Sequence, residues 1–256
     1  KYPSSGSTGL GNIRYSNESV AGYYPDRWVT KSGNKPDGSG CFGRKAQRQV
    51  VIQQLQSEID TNQSIREDQR GFNVITCPGY PEAIANMIAL NTDRNNQAFV
   101  IGDTPFRLEG TATAISNWAN NTAGATVNGE DGLVSSSDYL AVFYPSGLTT
   151  DNSGTSIVVP PSHMMTRVMA NNDNLAYPWF APAGTRRGTV DNATSVGYID
   201  SEGEFSAISV TEGVRESMHT VKINPITFFS GAGIVNFGNL TKTSASSALD
   251  RINISR

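Results

Sequence analysis

Charge is scarce in this sequence. Of its 256 residues only 17% are Asp, Glu, Lys or Arg, against roughly 25% in an ordinary soluble domain. The net charge is -3, which makes nucleic acid a poor partner, because neutralising phosphates takes clustered Lys and Arg. Long hydrophobic runs are missing as well. No apolar stretch approaches the roughly 18 residues of a membrane span, and no signal-peptide pattern opens the sequence. Cysteine is nearly absent. Cys41 and Cys77 form no disulfide framework, and two buried free thiols are a simpler expectation than a bridge between them. Ser, Thr and Asn fill the gap, with 27, 22 and 22 residues. The expected surface is polar but largely uncharged. In so Asn-rich a chain the six N-x-Ser/Thr sequons arise by chance and carry no weight.

What is present is an alternation. Residues 1–43 are rich in Gly, Ser, Pro and Asn and read as loops and short strands. From Arg44 the pattern turns helical, with Val51, Leu55 and Ile59 four apart and Ile52 joining the stripe, until Gly71. Phe72-Asn73-Val74-Ile75-Thr76-Cys77 reads as a buried strand ended by Pro78-Gly79. Pro81 opens a helix over 83–90. A strand over 97–102 closes in Asp103-Thr104-Pro105, a helix covers 111–119, a strand covers 139–144, and Pro160-Pro161-Ser162 opens a helix over 163–170. Strand and helix in turn imply a parallel sheet covered on both faces. The irregular aromatic run Tyr177-Pro178-Trp179-Phe180 marks a junction. Beyond it the sequence predicts a hairpin over 196–210, a helix over 211–222 with Thr211 as N-cap, and short strands at 234–237 and 252–254. The expected fold class is α/β, a mainly parallel sheet flanked by helices over residues 44–176. Part of an α+β inner domain follows at 177–256, and 1–43 belongs to something preceding.

Charge is also uneven. Nine of the charged residues fall in 44–70, whereas between Arg107 and Arg167 there is no Lys or Arg at all and the acidic residues include Glu130, Asp131, Asp138 and Asp151. A solvated loop is the plain reading, and a contact surface free of positive charge the sharper one.

Reactive constellations are hard to find. Gly38-Ser39-Gly40-Cys41-Phe42-Gly43 has dinucleotide-site spacing, but no strand precedes it to aim helix amides at a pyrophosphate. Cys41, Cys77, His163 and His219 are scattered singly, whereas structural zinc takes its ligands in close pairs. Ser162 adjoins His163, yet neighbours on one helix point about 100° apart and are not mutual partners. There is no nucleophile elbow. An α/β hydrolase using Asp103 and His163 stays as the rival reading, and a carbohydrate-binding module using Tyr23, Tyr24 and Trp28 as a third.

Several stretches in order carry a resemblance. They are the helix of residues 50–59, the strand 74–76, Pro78-Gly79 and the helix 83–90. Then come Asp103-Thr104-Pro105, Ala141-Val142-Phe143-Tyr144-Pro145, Val159-Pro160-Pro161-Ser162 and Ala181-Pro182-Ala183-Gly184-Thr185-Arg186-Arg187-Gly188. Ile223-Asn224-Pro225-Ile226, Phe229-Ser230-Gly231-Ala232-Gly233, Phe237-Gly238 with Thr241, and Asp250-Arg251-Ile252-Asn253-Ile254-Ser255-Arg256 complete the series. In this order and spacing, across residues 44–256, the chain resembles the contractile tail sheath proteins of tailed phages. Thr185 departs from the usual Asn or Lys, and residues 1–43 match nothing in the pattern.

The resemblance implies a fragment without the N-terminal arm and the C-terminal end, which suits a sequence that lacks an initiator Met and stops at Arg256. It implies a structural subunit that stacks in hexameric rings around a tail tube and contracts to drive the tube through the host envelope. The implied partners are further copies of itself, the tube protein, and baseplate and tail terminator proteins, with neither nucleic acid nor membrane insertion. The implied place is the virion, after assembly in the host cytoplasm. No catalytic, cofactor or metal residue is implied. Pro182, Gly184 and Gly188 are expected to fix the chain crossing. Arg186 and Arg187 are expected at a subunit or tube contact, with an ordinary surface pair as the plainer alternative. Arg215 and Lys222, on the helix that approaches the tube, complete the contact candidates. A bacteriocin or type VI secretion sheath is the nearest alternative.

Overall fold

A computed structural model describes residues 44–67, 70–126, 129–175, 177, 179–200, 203–244 and 246–256. The glycine-rich loop 38–43, Cys41, and Tyr23, Tyr24 and Trp28 lie outside them. The chain divides into two units, Lys1–Glu58 with Ser201–Glu204, and Ile59–Asp200 with Phe205–Arg256. The described part of the first is chiefly helix α1 (Arg44–Thr61), in which Gln54 Nε2 donates to Glu58 at 2.8 Å. A short helix, α2 (Gln63–Arg66), follows in the second unit, where Asn62 caps it by accepting from the Ser64 N–H.

The second unit is built on two apolar strands, β2 (Phe99–Asp103) and β3 (Leu140–Tyr144), buried along their whole length. Side chains alternate across a sheet, so one run of hydrophobic residues feeds two cores. Val100, Leu140, Val142 and Tyr144 face one core, while Phe99, Ile101, Ala141 and Phe143 face the other. The first core is closed by helices α3 (Ile84–Asp93) and α4 (Ala112–Ala119), which supply Ile84, Met87, Leu90, Ile115 and Trp118. The second is closed by α5 (Pro161–Leu175) with Met164, Met165, Val168 and Met169. Burial of this size is the main favourable term in folding.

The first sheet has five strands, completed by β1 (Val74–Thr76), β8 (Asn224–Phe229) and β9 (Gly233–Asn236), in the order β1-β2-β3-β8-β9. The first four are parallel and β9 is antiparallel to β8. The α/β class with a mainly parallel, helix-covered sheet is therefore the observed one. The second sheet holds β4 (Ser146–Thr150), β5 (Ser156–Val159), β6 (Ser195–Ile199) and β7 (Phe205–Ala207), all antiparallel in the order β5-β4-β6-β7. Strands following Tyr177 thus pair with strands preceding it in both sheets. One residue, Pro145, separates β3 in the first sheet from β4 in the second. Helices α6 (Gly184–Arg187) and α7 (Glu212–Thr220) lie between β5 and β8 in sequence.

Three expectations need correction. The segment read as a strand at 252–254 is a short helix, α8 (Ile252–Ser255). The Ile254 and Ser255 N–H groups both bond back to the Arg251 carbonyl, and only Ile252 enters the core. The helix expected at 163–170 extends to Leu175. Cys77 is half-buried at the margin of the first core rather than fully buried, and is a free thiol.

Candidate functional site

The edge where the parallel strands end holds one buried ionisable cluster. Gly79, in the turn after β1, has φ +79°, a left-handed conformation that glycine adopts without penalty. That conformation lets its N–H donate to Asp103 Oδ2 at 2.8 Å. Pro160-Pro161 starts α5, so the Ser162 N–H points out of the helix end without an intrahelical partner and donates to Asp103 Oδ1 at 2.6 Å. The Ser162 hydroxyl donates to Oδ2 at 2.7 Å. Asp103 itself is 2% exposed. Burial pushes its carboxyl up to about 6, opposed by the hydrogen bonds from Gly79 and Ser162. One carboxyl therefore ties together the turn after β1, the end of β2 and the first turn of α5, with its charge at a helix N-terminus.

That geometry does not assemble the hydrolase of the rival reading. Ser162 is fully buried, and His163 is exposed and is not a partner of Asp103. Cys77 is a poor nucleophile, because burial, and then the charges of Asp103 and Glu82, push its thiol up to about 11. Among the described residues no group of three or more His, Cys, Asp and Glu is placed to hold a metal ion.

The four contact candidates occupy two places. Arg186 and Arg187 form the last turn of α6, where Arg186 is exposed and the Arg187 guanidinium lies 3.8 Å over the Phe180 ring. Gly188, next in the chain, accepts from the Asn236 N–H at 2.7 Å. A Cβ there would collide with the Asn236 carbonyl oxygen, so the expected structural role of Gly188 has a steric basis. Arg215, on α7, donates to the Val210 carbonyl at 2.8 Å and lies 5.4 and 5.9 Å from the Phe229 and Phe237 rings. Lys222, just past α7, has φ +57° and pairs with Asp250 at 3.5 Å. An open groove of about 740 Å³ runs beside α7, lined by Glu212, Arg215, His219, Phe237, Asn239 and Arg251. It mixes both signs of charge. A neighbour, Lys242, donates to the Val221 carbonyl at 2.7 Å, and burial followed by the nearby Lys222 lowers its ammonium to about 8.

In the sequence 177–180 reads only as a junction, and its exposed surface is a finding of the structure. Tyr177 and Trp179 stack at 4.5 Å, both more than half exposed. The available signal was four residues with three aromatics and no alternation that would bury one face.

The two-sheet α/β fold is shared with chains of contractile injection assemblies. It matches a chain of the anti-feeding prophage baseplate with a TM-score of 0.51 at 19% identity, over 77% of this chain and 47% of the other. It matches the PVC sheath complex of an extracellular contractile injection system in its contracted state with a TM-score of 0.50, also at 19%, over 78% and 47%. The anti-feeding prophage helical sheath, contracted, matches with a TM-score of 0.50 at 20%, over 78% and 46%. Such identities establish likeness of fold, and the chain spans about half the length of these solved chains. In sequence, 98 residues are 31% identical to the tail sheath protein of Vibrio phage KVP40 and 33% identical to that of Enterobacteria phage T4. Each match takes in 38% of this chain and 13% of the relative. No family model matches the chain. The resemblance to contractile tail sheath proteins read from the motifs is thus matched by both fold and sequence.

Proposed function

We propose that this chain is part of a structural subunit of a contractile tail sheath, one that polymerises as stacked hexameric rings around a tail tube and shortens to drive the tube through a host envelope. The observation that carries the reading is the 98-residue similarity to two phage tail sheath proteins. The shared fold adds to it, since the solved relatives sit in a helical sheath and a baseplate. The physics agrees. A sheet packed on both faces transmits displacement rather than absorbing it, and repeated contacts between unlike surfaces build rings or open filaments. The subunit's partners on this reading are copies of itself, the tube, the baseplate and the terminator, its place is the virion, and it has no catalytic role. No described helix is long and apolar enough to cross a membrane. The solved relatives favour a second form of the same reading, the sheath of a phage-tail-like injection particle.

The test is microscopy of the purified gene product that contains this chain. Hollow tubes in negative stain are the expected outcome. A small soluble species under every assembly condition would sink the proposal. Esterase activity lost in His163→Ala would return the hydrolase to consideration.

A further inference from the structure

The rings of Tyr177, Trp179 and Phe180 are left outside the core, while the backbone that carries them is held with care. The Phe180 carbonyl accepts from Asn172 on α5 at 3.0 Å, the Trp179 carbonyl from Asn253 on α8 at 3.0 Å, and the Pro182 carbonyl from Asn236 on β9 at 2.7 Å. Asn172 and Asn236 are 3% and 0% exposed. Three elements thus spend side-chain amides on fixing one irregular segment. The rings it presents are 60%, 62% and 39% exposed, and the adjoining Leu175 is 88% exposed. Arg187 lies over the Phe180 ring and holds it from one side. Pre-ordered Trp, Tyr and Arg side chains are what the centre of a protein interface is made of, and ordering them beforehand lowers the cost of association.

We propose that this aromatic and arginine patch is a docking surface for a second copy of the same chain, which meets it with the exposed β4–β5 hairpin of the stretch between Arg107 and Arg167. The proposal rests on the sheath reading above. Charge selects the occupant. The patch carries exposed Arg186 and part-buried Arg187, and the facing stretch has no Lys or Arg and shows exposed Glu109 and Asp151. Asp151 sits at the tip of the β4–β5 hairpin, where hydrogen bonds from Ser153 and Thr155 hold its carboxyl below the usual range and keep it ionised. Ile157, on the same hairpin, is 41% exposed and supplies an apolar surface for the rings. The two surfaces differ, so the contact is head-to-tail and passes from copy to copy, around a ring or along a filament.

The test uses the intact gene product that contains this chain. With the photo-cross-linking residue p-benzoylphenylalanine in place of Trp179, irradiated particles should give a cross-link from position 179 to a peptide within 107–167 of another copy. A companion variant, Tyr177→Ser with Trp179→Ser, should keep the thermal midpoint of the unsubstituted protein, because both rings are exposed. It should lose tube yield by about tenfold or more. A cross-link to a different protein, to another region of the chain, or to nothing overturns the proposal. So do tubes at full yield from the double variant. Absence of tubes from the unsubstituted protein overturns the sheath reading itself, which separates the two failures.

Discussion

Asp103 shows how one residue serves the scaffold at an electrostatic cost. Its folded value of about 6 lies above the ordinary 3.8 because desolvation outweighs three hydrogen bonds. A carboxyl raised on folding contributes its stability below the ordinary value and loses it as pH rises through the folded one. The difference is worth on the order of 3 kcal/mol at most. The melting midpoint should therefore fall between about pH 4 and pH 6.5, measured by circular dichroism. In Asp103→Asn that fall should shrink, on a lower baseline, because the amide nitrogen must face one of the N–H or O–H donors. An undiminished fall in the variant would remove Asp103 as its source. The position of Asp103 at a strand end was legible in the sequence. Its partner Ser162 was not, since the two meet across 59 residues, and sequence spacing carries no record of such a meeting.

Among the elements, legibility followed burial. Strands β2 and β3 announced themselves as apolar runs because both of their faces are covered. Strands β4 and β5 did not, since Ser146-Gly147-Leu148-Thr149-Thr150 has little apolar content to alternate and sits in a partly solvated sheet. Strand β8 was hidden by Pro225, a residue that usually argues against an interior strand. The structure accommodates it through Asn224, fully buried, whose amide donates to the Val142 and Leu240 carbonyls at 3.1 and 2.8 Å and accepts from the Leu240 N–H at 2.8 Å. The side chain ties β8 to β3 and to the chain beyond β9. Asn224→Ala should cost about 2–4 kcal/mol in urea unfolding, since it strands buried backbone groups. A loss below about 0.5 kcal/mol would show that the tie is dispensable.

At the scale of the whole molecule, the two cores lie on either side of the same pair of strands, so opening either core exposes β2 and β3. Hydrogen exchange should find the slowest amides there, at Val100, Ile101 and Val142, and faster ones in the β4–β5 hairpin with its exposed tip. Comparable rates in the two places would contradict a shared centre. The contact candidates fit this picture unevenly. Arg187 joins the aromatic patch, whereas Arg215 and Lys222 are already engaged within the chain by Val210 and Asp250.

The single residue between β3 and β4 has a mechanical consequence. A strand that leaves one sheet and enters another after only Pro145 gives the two layers no slack to stretch. A pull on the antiparallel layer reaches the parallel layer at once, along the covalent chain, with no spring between them. Under load the first parts to yield should then be the outer strands β5 and β7, each held by one neighbour, and the junction should outlast them. Such a body behaves as a stiff link, and any elasticity has to reside outside it.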